Sequence, residues 1–171
     1  GVHHMHDILQ NCKNYTKISD YNTDWAKLDY HTNFNVFFNN IDGNQSNFDA
    51  LSVELKKYKN KISVIALCET NISVDHKDLY PLEGYESHYQ TKISGKSKGS
   101  GLGLYISEEF IFEELPSLCI TTVNIEALFV KITNTKEEII MGVVYRPPNG
   151  SLKQFLLEIE KILIKLPKDH V

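Results

Sequence analysis

Apolar runs that stop abruptly at polar residues punctuate the chain from Phe34 onward. Phe34-Asn35-Val36-Phe37-Phe38 is rich in aromatics and alternates imperfectly, which predicts a strand, and Asn39-Asn40-Ile41-Asp42-Gly43-Asn44 breaks it. Ser46, with Asp49 three residues on, has the form of a capping box; Phe48, Leu51, Leu55 and Tyr58 then recur at helical spacing. The run Ile62-Ser63-Val64-Ile65-Ala66-Leu67-Cys68 is nearly continuous, as expected of a strand covered on both faces, and ends at Glu69. A loop through Pro81, a strand from Tyr85 to Thr91 and a stretch rich in Lys, Ser and Gly from Lys92 to Gly101 follow. Further strands are predicted at Leu102 to Ile106, Cys119 to Val123, Leu128 to Thr133 and Glu138 to Tyr145, with a hairpin through Asn134-Thr135-Lys136. The last element is a helix: Ser151 and Gln154 form a capping box, and Leu152, Phe155, Leu156, Ile159, Ile162, Leu163 and Leu166 make one apolar stripe that would lie on a sheet. Strands followed by helices, with hairpins between, predict mixed α/β layers.

Residues 1–33 are polar and show no sustained period, so they are expected to form an extension without regular structure. Three histidines there, His3, His4 and His6, are read as solvated and given no role. The remaining 138 residues of the 171 suit one domain with a real core. The chain opens on Gly1, which fits a piece of a longer or processed polypeptide. It shows no signal peptide and no apolar run of membrane-spanning length, so an intracellular location, nuclear or cytoplasmic, is expected. Cys12, Cys68 and Cys119 are odd in number and form no CxxC pair, which supports neither a disulfide framework nor a zinc ribbon. Cys68 and Cys119 lie in apolar runs and read as core fillers. A net charge of −4 gives no overall field toward nucleic acid, so any DNA contact must use a local basic patch.

Candidate chemistry sits at strand ends, where layered α/β proteins build their sites. Tyr145-Arg146-Pro147-Pro148-Asn149 follows the strand Ile139 to Val144 directly. Consecutive prolines cannot donate to a ladder, so the strand must stop there and present Tyr145, Arg146 and Asn149 at its mouth. Asn40, Asp42 and Glu69 occupy equivalent places after the earlier strands. Gly99 to Gly103 leads into a strand where a phosphate loop would lead into a helix, and is not read as one.

In order along the chain, Asn40-Ile41-Asp42-Gly43, Ile65-Ala66-Leu67-Cys68-Glu69-Thr70, Gly99-Ser100-Gly101-Leu102-Gly103-Leu104-Tyr105-Ile106 and Val144-Tyr145-Arg146-Pro147-Pro148-Asn149 resemble the endonuclease/exonuclease/phosphatase superfamily. The form Tyr-Arg-Pro-Pro looks most like the endonuclease domains of non-LTR (LINE-like) retrotransposons. The resemblance covers residues 34–171 and implies a truncated part of a four-layer α/β/β/α sandwich of the DNase I type. It implies that Glu69 binds Mg²⁺ or Mn²⁺ with Asn40 and Asp42 beside it. Tyr145 would donate to a phosphate oxygen, Asn149 would shape the pocket, and Arg146, Lys96, Lys98 and Lys92 would contact DNA phosphates. It further implies metal-dependent nicking of DNA and a reverse transcriptase downstream in the parent polypeptide. The second proline sets Asn149 one residue later than in the repair enzymes of the superfamily. The Gly-Asp-Phe-Asn and Ser-Asp-His motifs of the family's later half do not occur among these residues, so the piece is expected to be inactive by itself. A catalytically dead DNA- or protein-binding relic and a phosphoesterase of the same fold are the alternative readings.

Overall fold

Strand β1 (Val36–Asn40) runs parallel to β2 (Val64–Cys68), and a parallel pair needs a crossover, which helix α1 (Asn44–Lys56) supplies. The computed structural model describes residues 34–58, 61–93, 95 and 99–166, and those from Asn35 onward belong to one compact unit. The predicted extension over residues 1–33 lies outside the described residues. Strands β3 (Tyr85–Gln90) and β4 (Leu102–Ser107) complete a first sheet of order β1-β2-β4-β3, in which β4 is antiparallel to both neighbours. A second sheet holds β5 (Phe112–Glu114), β6 (Ile120–Thr121), β7 (Glu126–Ile132) and β8 (Ile139–Tyr145). Strand β7 pairs with β8 along one side and with β5 and β6 along the other.

The sheets pack face to face, with β2 and β4 against β7 and β8. Every residue of β2 and β4 is buried, the outcome expected of runs covered on both faces. On the outer face of the first sheet, Phe48 of α1 stacks on Tyr105 with centroids 5.8 Å apart. On the outer face of the second, helix α2 (Leu152–Lys165) sets Phe155, Ile159 and Ile162 against Leu118, Ile125 and Ala127. The four layers are therefore α/β/β/α, as the family resemblance implies.

Strand periodicity decides what faces the seam between the sheets. Side chains alternate along β7, so Glu126, Leu128, Val130 and Ile132 share one face and Ala127 and Phe129 the other. Ala127 and Phe129 meet α2, so the even-numbered face looks toward the first sheet. Tyr145 stands directly opposite Glu126 in the register, which turns its ring to the same side. Across the other face, Phe129 lies opposite Gly142, and a Cβ built on Gly142 would come within 2.1 Å of the Phe129 ring. Gly142→Ala must push that ring off its site, so we expect a loss of about 1–3 kcal/mol, read as a lower urea midpoint at unchanged slope.

Several sequence expectations shift here. No capping box forms at Ser46: α1 starts at Asn44, with Gly43 as its N-cap at φ 97° and no side-chain cap. The Asn47 amide bonds back to the Ile41 and Asp42 carbonyls at 2.9 and 3.2 Å, tying the helix to the loop before it. At α2, Ser151 does cap, its Oγ accepting from the Gln154 N–H at 3.4 Å, and the Ser151 N–H goes to Asn124 Oδ1 at 2.9 Å. The α2 stripe is two faces: Phe155, Ile159, Ile162 and Leu166 pack inward, whereas Leu152, Leu156 and Leu163 are exposed. Seven apolar residues span a wider arc than one sheet contact can cover. The strand expected from Cys119 to Val123 shrinks to two residues, and β5 and a 3₁₀ helix at Val74–Leu79 have no counterpart in the sequence reading. Among the described residues, no helix is long and apolar enough to cross a membrane.

Candidate active site

The parallel pairing of β1 and β2 continues past the ends of both strands, and that continuation builds the site. Ile41 N–H bonds to the Cys68 carbonyl at 3.1 Å, Gly43 N–H to the Glu69 carbonyl at 2.8 Å and Asn44 N–H to the Thr70 carbonyl at 2.9 Å. Two loops are thus laid side by side as tightly as the strands beneath them. Among the described residues, three that are not glycine hold positive φ, and all lie in these loops: Asp42 at 49°, Glu69 at 56° and Asn71 at 54°. Such conformations are sparsely populated and persist where surrounding bonds fix them, a pattern that clusters at functional sites.

Glu69 is the centre. Its Oε1 accepts from Asn40 Nδ2 at 2.9 Å and from the Tyr145 hydroxyl in a short hydrogen bond. The first donor ends β1 of one sheet and the second ends β8 of the other, so one carboxyl oxygen joins the two sheets at their common mouth. Oε2 accepts nothing from the described residues. Asn40 is fixed in turn, its Oδ1 accepting from the Asp42 N–H at 3.2 Å. Burial, followed by the bond to Glu69 and that group's charge, holds the Tyr145 phenol well above its ordinary pKa. Tyr145 is therefore a protonated donor throughout the neutral range.

Behind Glu69 lies a layer that the sequence reading missed. Glu126, wholly buried, accepts from Ser100 Oγ at 2.5 Å and from the Gly101 N–H at 2.7 Å. The same two residues hold the loop after Glu69: the Gly101 carbonyl accepts from Thr70 N–H at 3.1 Å and the Ser100 carbonyl from Asn71 N–H at 2.9 Å. Asn71 answers through Oδ1, which accepts from Ser100 N–H at 3.3 Å. A charged residue opening the apolar run Glu126 to Val130 was the available signal.

Other predicted residues are placed as follows. Asp42 is exposed on its loop, and its carboxyl has no partner among the described residues. Asn149 is exposed in the turn after β8 and likewise makes no bond to the Glu69 cluster. Arg146 is exposed and donates from Nη1 to the Gly150 carbonyl at 2.9 Å, within its own turn. Lys92 is half-buried, with its N–H on the Ile72 carbonyl at 2.8 Å. Lys96 and Lys98 lie outside the described residues. Cys68 is buried, and burial first, then the charges of Glu69 and Glu126, push its thiol up to about 11, so it is an inert core residue at neutral pH.

The donor set matches a hard divalent cation. A free carboxyl oxygen beside an amide is what Mg²⁺ or Mn²⁺ takes from protein when water and phosphate complete the shell. Among the described residues, no group of three or more His, Cys, Asp and Glu gathers.

No family model matches the chain, and no curated protein matches it. Among solved structures, the fold is similar to the endonuclease domain of TRAS1, a telomere-specific non-LTR retrotransposon. The TM-score is 0.59 at 18% identity, over 78% of this chain and 55% of that one. The catalytic domain of Xenopus laevis APE2 also matches, at TM-score 0.46 and 17% identity, over 75% of this chain and 51% of that one. The chain thus shares the DNase I-like α/β/β/α fold of the TRAS1 domain, and it spans little more than half the length of these structures.

Proposed function

We propose that the Glu69 cluster is the metal- and phosphate-binding part of a DNA-nicking endonuclease of the retrotransposon type. One observation carries this reading. Asn40, Glu69 and Tyr145, the last two separated by 76 positions, converge on a single carboxyl oxygen at the open end of both sheets. Glu69 Oε2, with Asn40 and Asp42 of the adjoining loop, would hold Mg²⁺ or Mn²⁺. When bound, the ion stabilises charge on a scissile phosphate and on the departing 3′ oxygen. Asn40 orients the Glu69 carboxyl, and Tyr145, kept protonated, would turn its single O–H from Glu69 to a phosphate oxygen when substrate binds. Arg146, with Lys96 and Lys98 on the basic stretch, would contact neighbouring phosphates and position DNA without reading its sequence. In the parent polypeptide this domain would precede a reverse transcriptase that uses the nick.

The test is Mn²⁺ binding followed by electron paramagnetic resonance. Glu69→Gln is expected to weaken it at least about tenfold, because an amide replaces the charged ligand. Equal affinity in wild type and Glu69→Gln would remove Glu69 from the metal site. The 171 residues contain no Gly-Asp-Phe-Asn or Ser-Asp-His sequence, so this chain alone is expected to leave supercoiled plasmid intact in Mg²⁺. Nicking that disappears in Glu69→Ala would show that this chain needs neither motif.

A further inference from the structure

We infer that Glu126 is a positioning residue for the site, a buried clamp that sets Glu69 and Tyr145 at bonding distance from opposite sheets; this rests on the reading of Glu69 as a metal ligand. A carboxyl wholly shut from solvent needs a reason to be there, since burial strips it of water unless the protein supplies donors. Here the donors are two, Ser100 Oγ at 2.5 Å and Gly101 N–H at 2.7 Å, and both lie in the loop that leads into β4 of the first sheet, while Glu126 opens β7 of the second. Ser100 Oγ also accepts from Ile93 N–H at 3.0 Å, so the loop is held from both of its ends.

Two lines lead from this clamp to the site. Along one, Glu126 fixes Gly101 and Ser100, whose carbonyls hold Thr70 and Asn71 by their N–H groups, and Thr70 follows Glu69 directly. Glu69 keeps φ at 56° because the residues after it are pinned in this way. Along the other, Glu126 pairs with Tyr145 across β7 and β8 and shares its face, so the same residue fixes how far the Tyr145 ring stands from the first sheet. The short bond between Tyr145 and Glu69 closes the circuit. Remove the clamp and each end of that bond is free to drift, though neither Glu69 nor Tyr145 has changed.

Substitution separates clamp from filler. In Glu126→Gln the amide oxygen still accepts from Gly101 and the amide N–H₂ can donate to Ser100 Oγ, so both connections survive. In Glu126→Leu the volume remains and both connections are lost. Amide hydrogen exchange by NMR on the full chain needs no metal: Glu126→Leu is expected to raise exchange at Gly101, Thr70 and Asn71 at least about tenfold and leave Ile65 to Leu67 unchanged, with Glu126→Gln close to wild type. Mn²⁺ affinity is expected to fall at least about tenfold in Glu126→Leu and to recover in Glu126→Gln. Ser100→Ala, which removes one donor, should raise exchange at Asn71 and serves if Glu126→Leu does not fold. Unchanged exchange in the loop, or a rise spread evenly over β2, overturns the clamp. A wild type that binds no Mn²⁺ while the loop responds as described sinks the metal reading of Glu69 and leaves the clamp standing as the holder of the Tyr145–Glu69 bond.

Discussion

Raised from neutral pH to about 11, the protein is expected to unfold in one cooperative step, with tyrosinate absorbance and loss of far-ultraviolet dichroism rising together. The cause is a set of acids that the fold keeps neutral. Burial, then the charges of Glu69 and Glu126, push Cys68 from 9.0 up to about 11. Burial, then Glu109, pushes Tyr85 from 10.0 up to about 12. Burial also drives Tyr89 and Tyr105 well above the ordinary range; their hydroxyls share a short hydrogen bond, and Tyr105 donates to the Tyr80 carbonyl at 2.7 Å. The sign follows directly. Between the unfolded and folded pKa values the native state holds a proton that the unfolded state has released, so stability is intact below about pH 9 and falls as pH rises. Each group removes about 1.4 kcal/mol per pH unit in that window. With the half-buried Tyr85 and Tyr89 discounted for solvent screening, the four together remove on the order of 5 kcal/mol by about pH 11, comparable with the whole stability of a small domain. Gradual ionisation of these tyrosines near pH 10 with unchanged dichroism would contradict the placement of Tyr105 and Cys68 in the core.

The same burial explains which parts of the fold were legible in the sequence. Strands β2 and β4 were plain because strands covered on both faces must be apolar without interruption. Glu69 was conspicuous for the same reason, as the first charge after such a run. Tyr145 was legible through its neighbours, since Pro147 and Pro148 forbid the strand from continuing. Helix α1 was misplaced at its start because its N-cap works through the backbone of Gly43, which carries no side-chain signature. Glu126 escaped because its meaning depends on Ser100 and Gly101, in a Lys-, Ser- and Gly-rich stretch that reads as solvated loop. A lone charge opening a strand says nothing until the opposite sheet is in place. Asp42 and Asn149 were grouped with Glu69 on composition at strand ends, and the described contacts join Asn40 and Tyr145 to it but neither of those two side chains.

That dependence on the opposite sheet makes Gly101→Ala the substitution with the greatest expected effect on the site. Gly101 stands at φ 93°, where an L side chain is strained, and a Cβ there would lie 2.6 Å from Thr70 Oγ1. Thr70 cannot yield easily, since it is buried and its N–H is held by the Gly101 carbonyl at 3.1 Å. The Gly101 N–H is held just as firmly by Glu126 at 2.7 Å. Strain of about 1–3 kcal/mol from the backbone and a similar amount from the clash therefore act together, for an expected loss of about 4 kcal/mol in urea unfolding. The relief available to the chain is to swing the loop away from Glu126, which strands a buried carboxyl without its donors and releases Thr70 and Asn71. Mn²⁺ affinity is then expected to fall with stability in Gly101→Ala, whereas Gly142→Ala, at the far face of the second sheet, should cost stability and leave affinity unchanged in the folded fraction. If Gly101→Ala binds Mn²⁺ as wild type does at low temperature, the loop does not govern Glu69, and the site is set by β1 and β8 alone.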